Sequence, residues 1–172
     1  MATLVLTVIG DDRAGLVNAL ADVVTAHGGN WERSQLAELA GKFAGIVQVS
    51  VADERADELA AALEPLHGLL EVALYTAEGH QAPAADVHHV EVDLVGNDHP
   101  GIVRDVTAVL TRHGISIERL ATDTREVPMA GGRLFEAHLS APVPAGTDLA
   151  GLQADLERLA TEILVDITVA SD

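Results

Sequence analysis

The sequence predicts an α+β fold built twice: two tandem β-α-β-β-α-β domains, each an antiparallel sheet with its helices on one face. Three observations carry this. A shift of 86 positions superposes one half of the 172-residue chain on the other. Within each half, apolar runs of strand length alternate with apolar stripes of helical period. The length suits two domains of roughly 80 residues each.

The shift aligns Gly10 with Gly96, Asp12 with Asp98 and Gly15 with Gly101. It also pairs Val17 with Val103, Val23 with Val109, Thr25 with Thr111 and His27 with His113, and then Gly28 with Gly114, Glu32 with Glu118 and Arg33 with Arg119. Ten identities in 24 consecutive positions without a gap mark a duplication. Domain one is placed at 1–78, a linker holding Pro83 at 79–86, and domain two at 87–172.

Taken in order, residues 3–9 and 88–95 are β-branched, apolar runs of strand length. Leu16, Val17, Leu20, Val23, Val24 and His27 then fall at helical spacing, and Gly28-Gly29 stops the helix. Ile102, Val103, Val106, Val109, Leu110 and His113 repeat this up to Gly114. Strands are expected at 30–39 and 115–124, connectors at Gly41 and at 128–132, and further strands at 43–52 and 133–141. Asp53 reads as the cap of a helix over 54–63, with Leu59, Ala62 and Leu63 inward. A helix over 148–162 sets Leu149, Leu152, Leu156 and Leu159 on one stripe. Final strands are expected at 70–76 and 164–170. This is the element order of ferredoxin-like domains.

Charge and composition exclude several functions. The formal net charge is −17, spread evenly over the halves: 4 basic against 13 acidic residues before position 87, and 6 against 14 after it. Binding to a phosphate backbone needs clustered Lys and Arg, and Lys42 is the only lysine, so direct nucleic-acid binding is not expected. An anionic membrane surface is disfavoured for the same reason. The absence of cysteine removes disulfides, thiol catalysis and thiolate metal sites. Residues 1–10 read as a strand, not a signal peptide, and no apolar stretch reaches membrane-spanning length, so a cytoplasmic protein is expected.

The chemistry concentrates in the repeated loop, Gly10-Asp11-Asp12-Arg13-Ala14-Gly15 and Gly96-Asn97-Asp98-His99-Pro100-Gly101. It ends at a helix N-terminus, whose unpaired N–H groups and partial positive charge suit a carboxylate. Its glycines allow close backbone approach or positive φ, and Pro100 fits a first helical turn. On physics alone, Asp12 and Asp98 read first as helix caps contributing about 1 kcal/mol each. An aspartate oxygen can also hold the loop while meeting a ligand ammonium.

With its strand, Asp-Arg-Pro-Gly-type turn and helix, the chain resembles the ACT family of small-molecule regulatory domains. The matching stretches are Asp12-Arg13-Ala14-Gly15-Leu16 and Asp98-His99-Pro100-Gly101-Ile102. The paired layout is similar to the bacterial glycine cleavage system transcriptional repressor family. The resemblance implies domains that pair side by side, extending their sheets, and that bind amino acids at the interface. It carries ligand contact onto Asp12, Arg13, Gly15 and Leu16, with Asn30 opening the second strand. In copy two it carries contact onto Asp98, His99, Gly101 and Ile102, with Ser116 at the place of Asn30. Copy one lacks the proline (Ala14), copy two lacks the arginine (His99), and Ser116 offers no amide.

Other features read as structural. His88 and His89 are adjacent in a strand and point to opposite faces, so they do not share an ion; no metal and no cofactor is expected. His27 and His113 sit at helix C-termini, where imidazole favours the dipole. Glu32-Arg33 and Glu118-Arg119 suit cross-strand ion pairs or interface contacts, and Trp31 suits either an interface or the core. There is no serine elbow, phosphate loop or Cys/His pair. Exposed strand aromatics and basic charge, which an RNA-recognition module needs, are missing. The resemblance implies a non-enzymatic, homo-oligomeric regulator that binds an amino acid such as glycine, and the acidic charge implies that it acts through a partner protein. A pairing module without a ligand is the competing reading, and an acylphosphatase-type hydrolase a weaker third.

Overall fold

The computed structural model describes residues 1–77, 88–127 and 131–171. Two compact units divide the chain, Met1–Gln81 and Ala82–Asp172. The expected linker at 79–86 and most of the connector at 128–132 lie outside the described residues.

Unit one runs β1 (Ala2–Asp11), α1 (Leu16–Ala26), β2 (Asn30–Leu39), β3 (Lys42–Val51), α2 (Ala56–Leu63) and β4 (Glu71–Thr76). Unit two repeats it as β5 (His89–Asn97), α3 (Ile102–Arg112), β6 (Arg119–Glu126), β7 (Arg133–Pro142), α4 (Leu149–Ile163) and β8 (Val165–Ser171). The sheet orders are β2-β3-β1-β4 and β6-β7-β5-β8, antiparallel throughout. Both are the ferredoxin-like arrangement.

Period-two alternation places one face of each sheet inward. Leu4, Leu6 and Val8 of β1 and Val47, Val49 and Val51 of β3 are buried with Leu16, Leu20 and Val24 of α1 and Leu59 and Leu63 of α2. In unit two, Val90, Val92 and Leu94 meet Ile102, Val106, Val109 and Leu110 of α3 and Leu152 and Leu156 of α4. Trp31 is half-buried and packs against the first core.

Four expectations need correction. β6 starts at Arg119, not at 115, because Ile115 turns into the core at 4% exposure; of the residues between, Glu118 N–H reaches Ser140 O at 3.0 Å. In unit one the same stretch is strand, accommodated by an irregularity between Trp31 and Arg33. Asp53 caps no helix: it opens a 3₁₀ turn, Asp53–Arg55, and its carboxylate meets the Met1 ammonium at 2.7 Å. Leu149, at the open first turn of α4, is exposed rather than inward. Pro100 precedes the glycine that opens α3 and so lies outside the helix.

Candidate functional site

In both copies the first strand runs into the loop and is held there by the neighbouring hairpin. Asp12 N–H donates to Gly41 O at 2.9 Å, and Asp98 N–H donates to Arg133 O at 2.8 Å. Each helix then opens on a glycine, Gly15 at φ 93° and Gly101 at φ 102°, a conformation that costs glycine little. Neither Asp12 nor Asp98 caps its helix, which overturns the capping reading: among the described residues no side chain bonds to either helix N-terminus. Both aspartates lie three residues before the N-cap, fixed to the hairpin by their own N–H.

The first intrahelical bonds are Ala19 N–H to Gly15 O and Asp105 N–H to Gly101 O, both 2.9 Å. The amides of residues 16–18 and 102–104 thus precede the helical ladder and lack a side-chain cap. α4 differs, since the Asp148 carboxylate accepts the Gly151 N–H at 2.9 Å. The glycine that begins each loop has another task. A Cβ on Gly10 would stand 2.6 Å from Leu69 O, and one on Gly96 2.4 Å from Val165 Cγ1, so both glycines allow close strand packing.

Arg13 and His99 turn out to be equivalent. Arg13 Nη2 donates to Gly68 O at 3.2 Å, and His99 Nε2 lies 3.1 Å from Ile163 O. Those carbonyls occupy the same place, just before β4 and β8. Either side chain therefore ties the loop to the turn before the last strand, His99 making in copy two the contact that Arg13 makes in copy one. The acceptors are backbone atoms, which no residue pattern announces.

The remaining site residues are unequally placed. Leu16 and Ile102 are core residues, each 2% exposed, so their backbone N–H is what they present. Asn30 is exposed at the first position of β2, opposite Ser50. Ser116 lies ahead of β6 and does not open a strand, so copy two lacks the counterpart of Asn30. Asp98 is also approached by Arg133, whose Nε is 3.8 Å from its carboxylate. Glu32 accepts from Gln48 Nε2 at 2.8 Å, and Glu118 meets His89 Nε2 at 3.1 Å.

An apolar slot of about 20 Å³ opens between α3 and the edge strand β6, with Val103 and Leu120 at its mouth and Val106 and Phe135 below. Val103 and Leu120 are each 40% exposed, and Val17 occupies the equivalent exposed place on α1.

His27, His89, His99, His113 and His138 each meet a carboxylate or a backbone carbonyl. His27 and His113 do end α1 and α3; His27 Nδ1 contacts Val23 O at 2.8 Å and His113 Nε2 contacts Asp155 at 2.9 Å. That bond draws the Asp155 carboxyl below its usual range. Among the described residues no three His, Asp or Glu side chains converge as a metal set. His138 stands between two acids on the open face of the sheet, Nδ1 at 2.7 Å from Asp93 and Nε2 at 3.2 Å from Glu91.

The hydrogen bond to Asp93, with both nearby carboxylates, raises the pKa of His138 against burial and Arg119. An imidazolium held this way stabilises the fold fully below the unfolded value of about 6.5 and loses that effect as pH rises through the folded value. A proton NMR titration should place the His138 midpoint above an unperturbed histidine, with Asp93→Asn lowering it. A midpoint indifferent to that substitution would refute the pairing.

ACT-domain family models match residues 2–75 and 89–161, so each half is an ACT domain. The chain is 30% identical over 164 residues to the glycine cleavage system transcriptional repressor of Escherichia coli (strain K12), covering 93% of this chain and 85% of that protein. The Shigella flexneri protein of the same description matches at the same identity and coverage. The chain belongs to this family of tandem ACT-domain proteins. A crystal structure of an unknown protein from Galdieria sulphuraria superposes with a TM-score of 0.88 at 31% identity, covering 99% of this chain and 98% of that one. A structure of a candidate glycine cleavage system transcriptional repressor, 22% identical with 99% and 97% coverage, shares the fold at a TM-score of 0.72.

Proposed function

We propose that this chain is a non-enzymatic, cytoplasmic regulator that binds an amino acid, glycine or a small relative, at its β1–α1 and β5–α3 loops. Ligand contact is assigned to Asp12, Arg13, Gly15, Leu16 and Asn30 in copy one, and to Asp98, His99, Gly101, Ile102 and Ser116 in copy two. The observation that carries the reading is the pair of helix N-termini opened by left-handed glycines and left without side-chain caps. Free N–H groups in that position complement a carboxylate, and an aspartate beside them complements an ammonium. Membership in a family that includes a transcriptional repressor supports a regulatory role. With a net charge of −17, any effect on transcription runs through a partner protein. Homo-oligomerisation of the chain, which the resemblance implies, completes the reading.

Calorimetry of the full chain against the twenty amino acids tests it. Saturable heat with at least one small amino acid is expected, weakened by about tenfold in Asp12→Ala or Asp98→Ala, whichever copy binds. No heat with any of them would sink the proposal. The position of Ser116 outside β6 favours a second reading for copy two, a pairing surface without ligand. Sedimentation that shows an oligomer indifferent to every amino acid would select it for the whole chain.

A further inference from the structure

Each domain carries a cleft at the same place, on the β4 or β8 side of the repeated loop, and the two differ in charge. In unit one it measures about 310 Å³ and is lined by Asp11, Arg13, Lys42 and Glu71 around the Gly68–Leu70 turn. In unit two it measures about 690 Å³, and the matching positions are Asn97, Leu134 and Asp166, joined by Glu157. The first cleft thus presents two cations and two carboxylates; the second presents two carboxylates and no cation. Of the copy-one residues assigned to ligand above, Arg13 alone lines the first cleft; Asp12, Gly15, Leu16 and Asn30 do not.

The charges in unit one are unusual for this chain. Arg13 and Lys42 are two of only four basic residues before position 87, and Lys42 is the only lysine. Both are placed on one cleft of a strongly acidic domain. Lys42 pairs with Asp11, and that contact holds the Asp11 carboxyl below its usual range. The pair is largely exposed, at 61% and 79%, and exposed pairs are weak, so a ligand bearing both charges can exchange into it. Arg13 is held over the turn by its bond to Gly68 O.

We infer that the copy-one cleft is a binding subsite for a small zwitterion, its carboxylate taken by Lys42 and Arg13 and its ammonium by Asp11 and Glu71. The inference rests on the amino-acid-binding reading and locates a ligand on the flank of the loop opposite the helix N-terminus, in copy one alone. The copy-two cleft, with carboxylates and no cation, repels a carboxylate ligand.

Glycine, glycinamide and acetate titrated at constant ionic strength into the ¹⁵N-labelled full chain provide the test. Glycine is expected to shift the amides of Gly10, Asp11, Gly68 and Glu71 saturably while those of Gly96, Asn97 and Asp166 stay put. Glycinamide and acetate, each lacking one charge, should bind at least about tenfold more weakly. Lys42→Met and Glu71→Gln should each weaken glycine by about tenfold, and Lys42→Arg should restore it. Glycine shifts confined to residues 16–18 or 102–104, or a Kd unmoved by Lys42→Met, would overturn this subsite and leave the regulatory reading standing. No shift at any residue overturns both.

Discussion

Alanine at Gly10 or Gly96 is expected to destabilise its domain by about 2–3 kcal/mol, well beyond an ordinary surface substitution. A Cβ at Gly10 would lie 2.6 Å from Leu69 O and 3.1 Å from Leu70 Cδ2; at Gly96 it would lie 2.4 Å from Val165 Cγ1 and 3.0 Å from Val165 Cα. Both obstacles sit where the last strand joins its sheet, beside a central strand that cannot retreat without breaking two ladders. In unit one the obstacle is a backbone carbonyl, so relief requires moving the Gly68–Leu70 turn. That turn supplies the acceptor for Arg13 and one wall of the charged cleft. Gly10→Ala should therefore lower stability in a urea titration and also weaken any ligand bound at the cleft. Gly114→Ala is the reference: its Cβ meets nothing within 4 Å, and only its φ of 70° opposes alanine, at about 1 kcal/mol. Equal losses at positions 10 and 114 would refute the close-packing account.

What the sequence revealed follows from what kind of force sets each feature. The strands and helices were legible because burial imposes period two or period 3.6 on every apolar residue, as Leu4, Leu6 and Val8 or Ile102, Val106 and Val109 show. The duplication is legible for another reason: most of the ten identities, such as Gly10, Gly15, His27 and Gly28, lie at loops and helix ends rather than in the core. The loop is legible as the break between the first strand and the first helix of each copy, but its internal bonding is not. A capping aspartate and a strand-end aspartate have the same neighbours in sequence, and only the hairpin bond from Asp12 N–H to Gly41 O distinguishes them. The equivalence of Arg13 and His99 was hidden because their acceptors are carbonyls 55 and 64 residues away. The start of β6 is not legible because Ile115 is apolar in either case; burial beneath the sheet and membership of the edge strand leave the same letter. Lys42 did carry a signal, being a unique residue type, but its meaning depended on which strand end faced it.

Leu6→Ala should remove about 3 kcal/mol from the first domain, and Leu110→Ala a similar amount from the second. Leu6 lies on the central strand at 0% exposure among Leu20, Val47 and Leu59, and Leu110 is equally buried on α3 among Val92, Leu152 and Leu156. Truncation at either site leaves a cavity in a rigid aliphatic core, where few bulky aromatics stand by to collapse into it. The two cores share no residue, so each variant should act on its own half. For domains of roughly 80 residues, each lost kcal/mol lowers Tm by about 4–8 °C, giving shifts of about 12–24 °C. Scanning calorimetry of the full chain should then resolve two transitions, the lower belonging to the mutated half. Leu6→Ala and Leu110→Ala should exchange which transition moves, and the double variant should move both. If either single substitution displaces the whole unfolding endotherm as one peak, the halves unfold as a single cooperative unit. A ligand confined to copy one adds a further distinction, since it should raise the transition that Leu6→Ala lowers and leave the other in place.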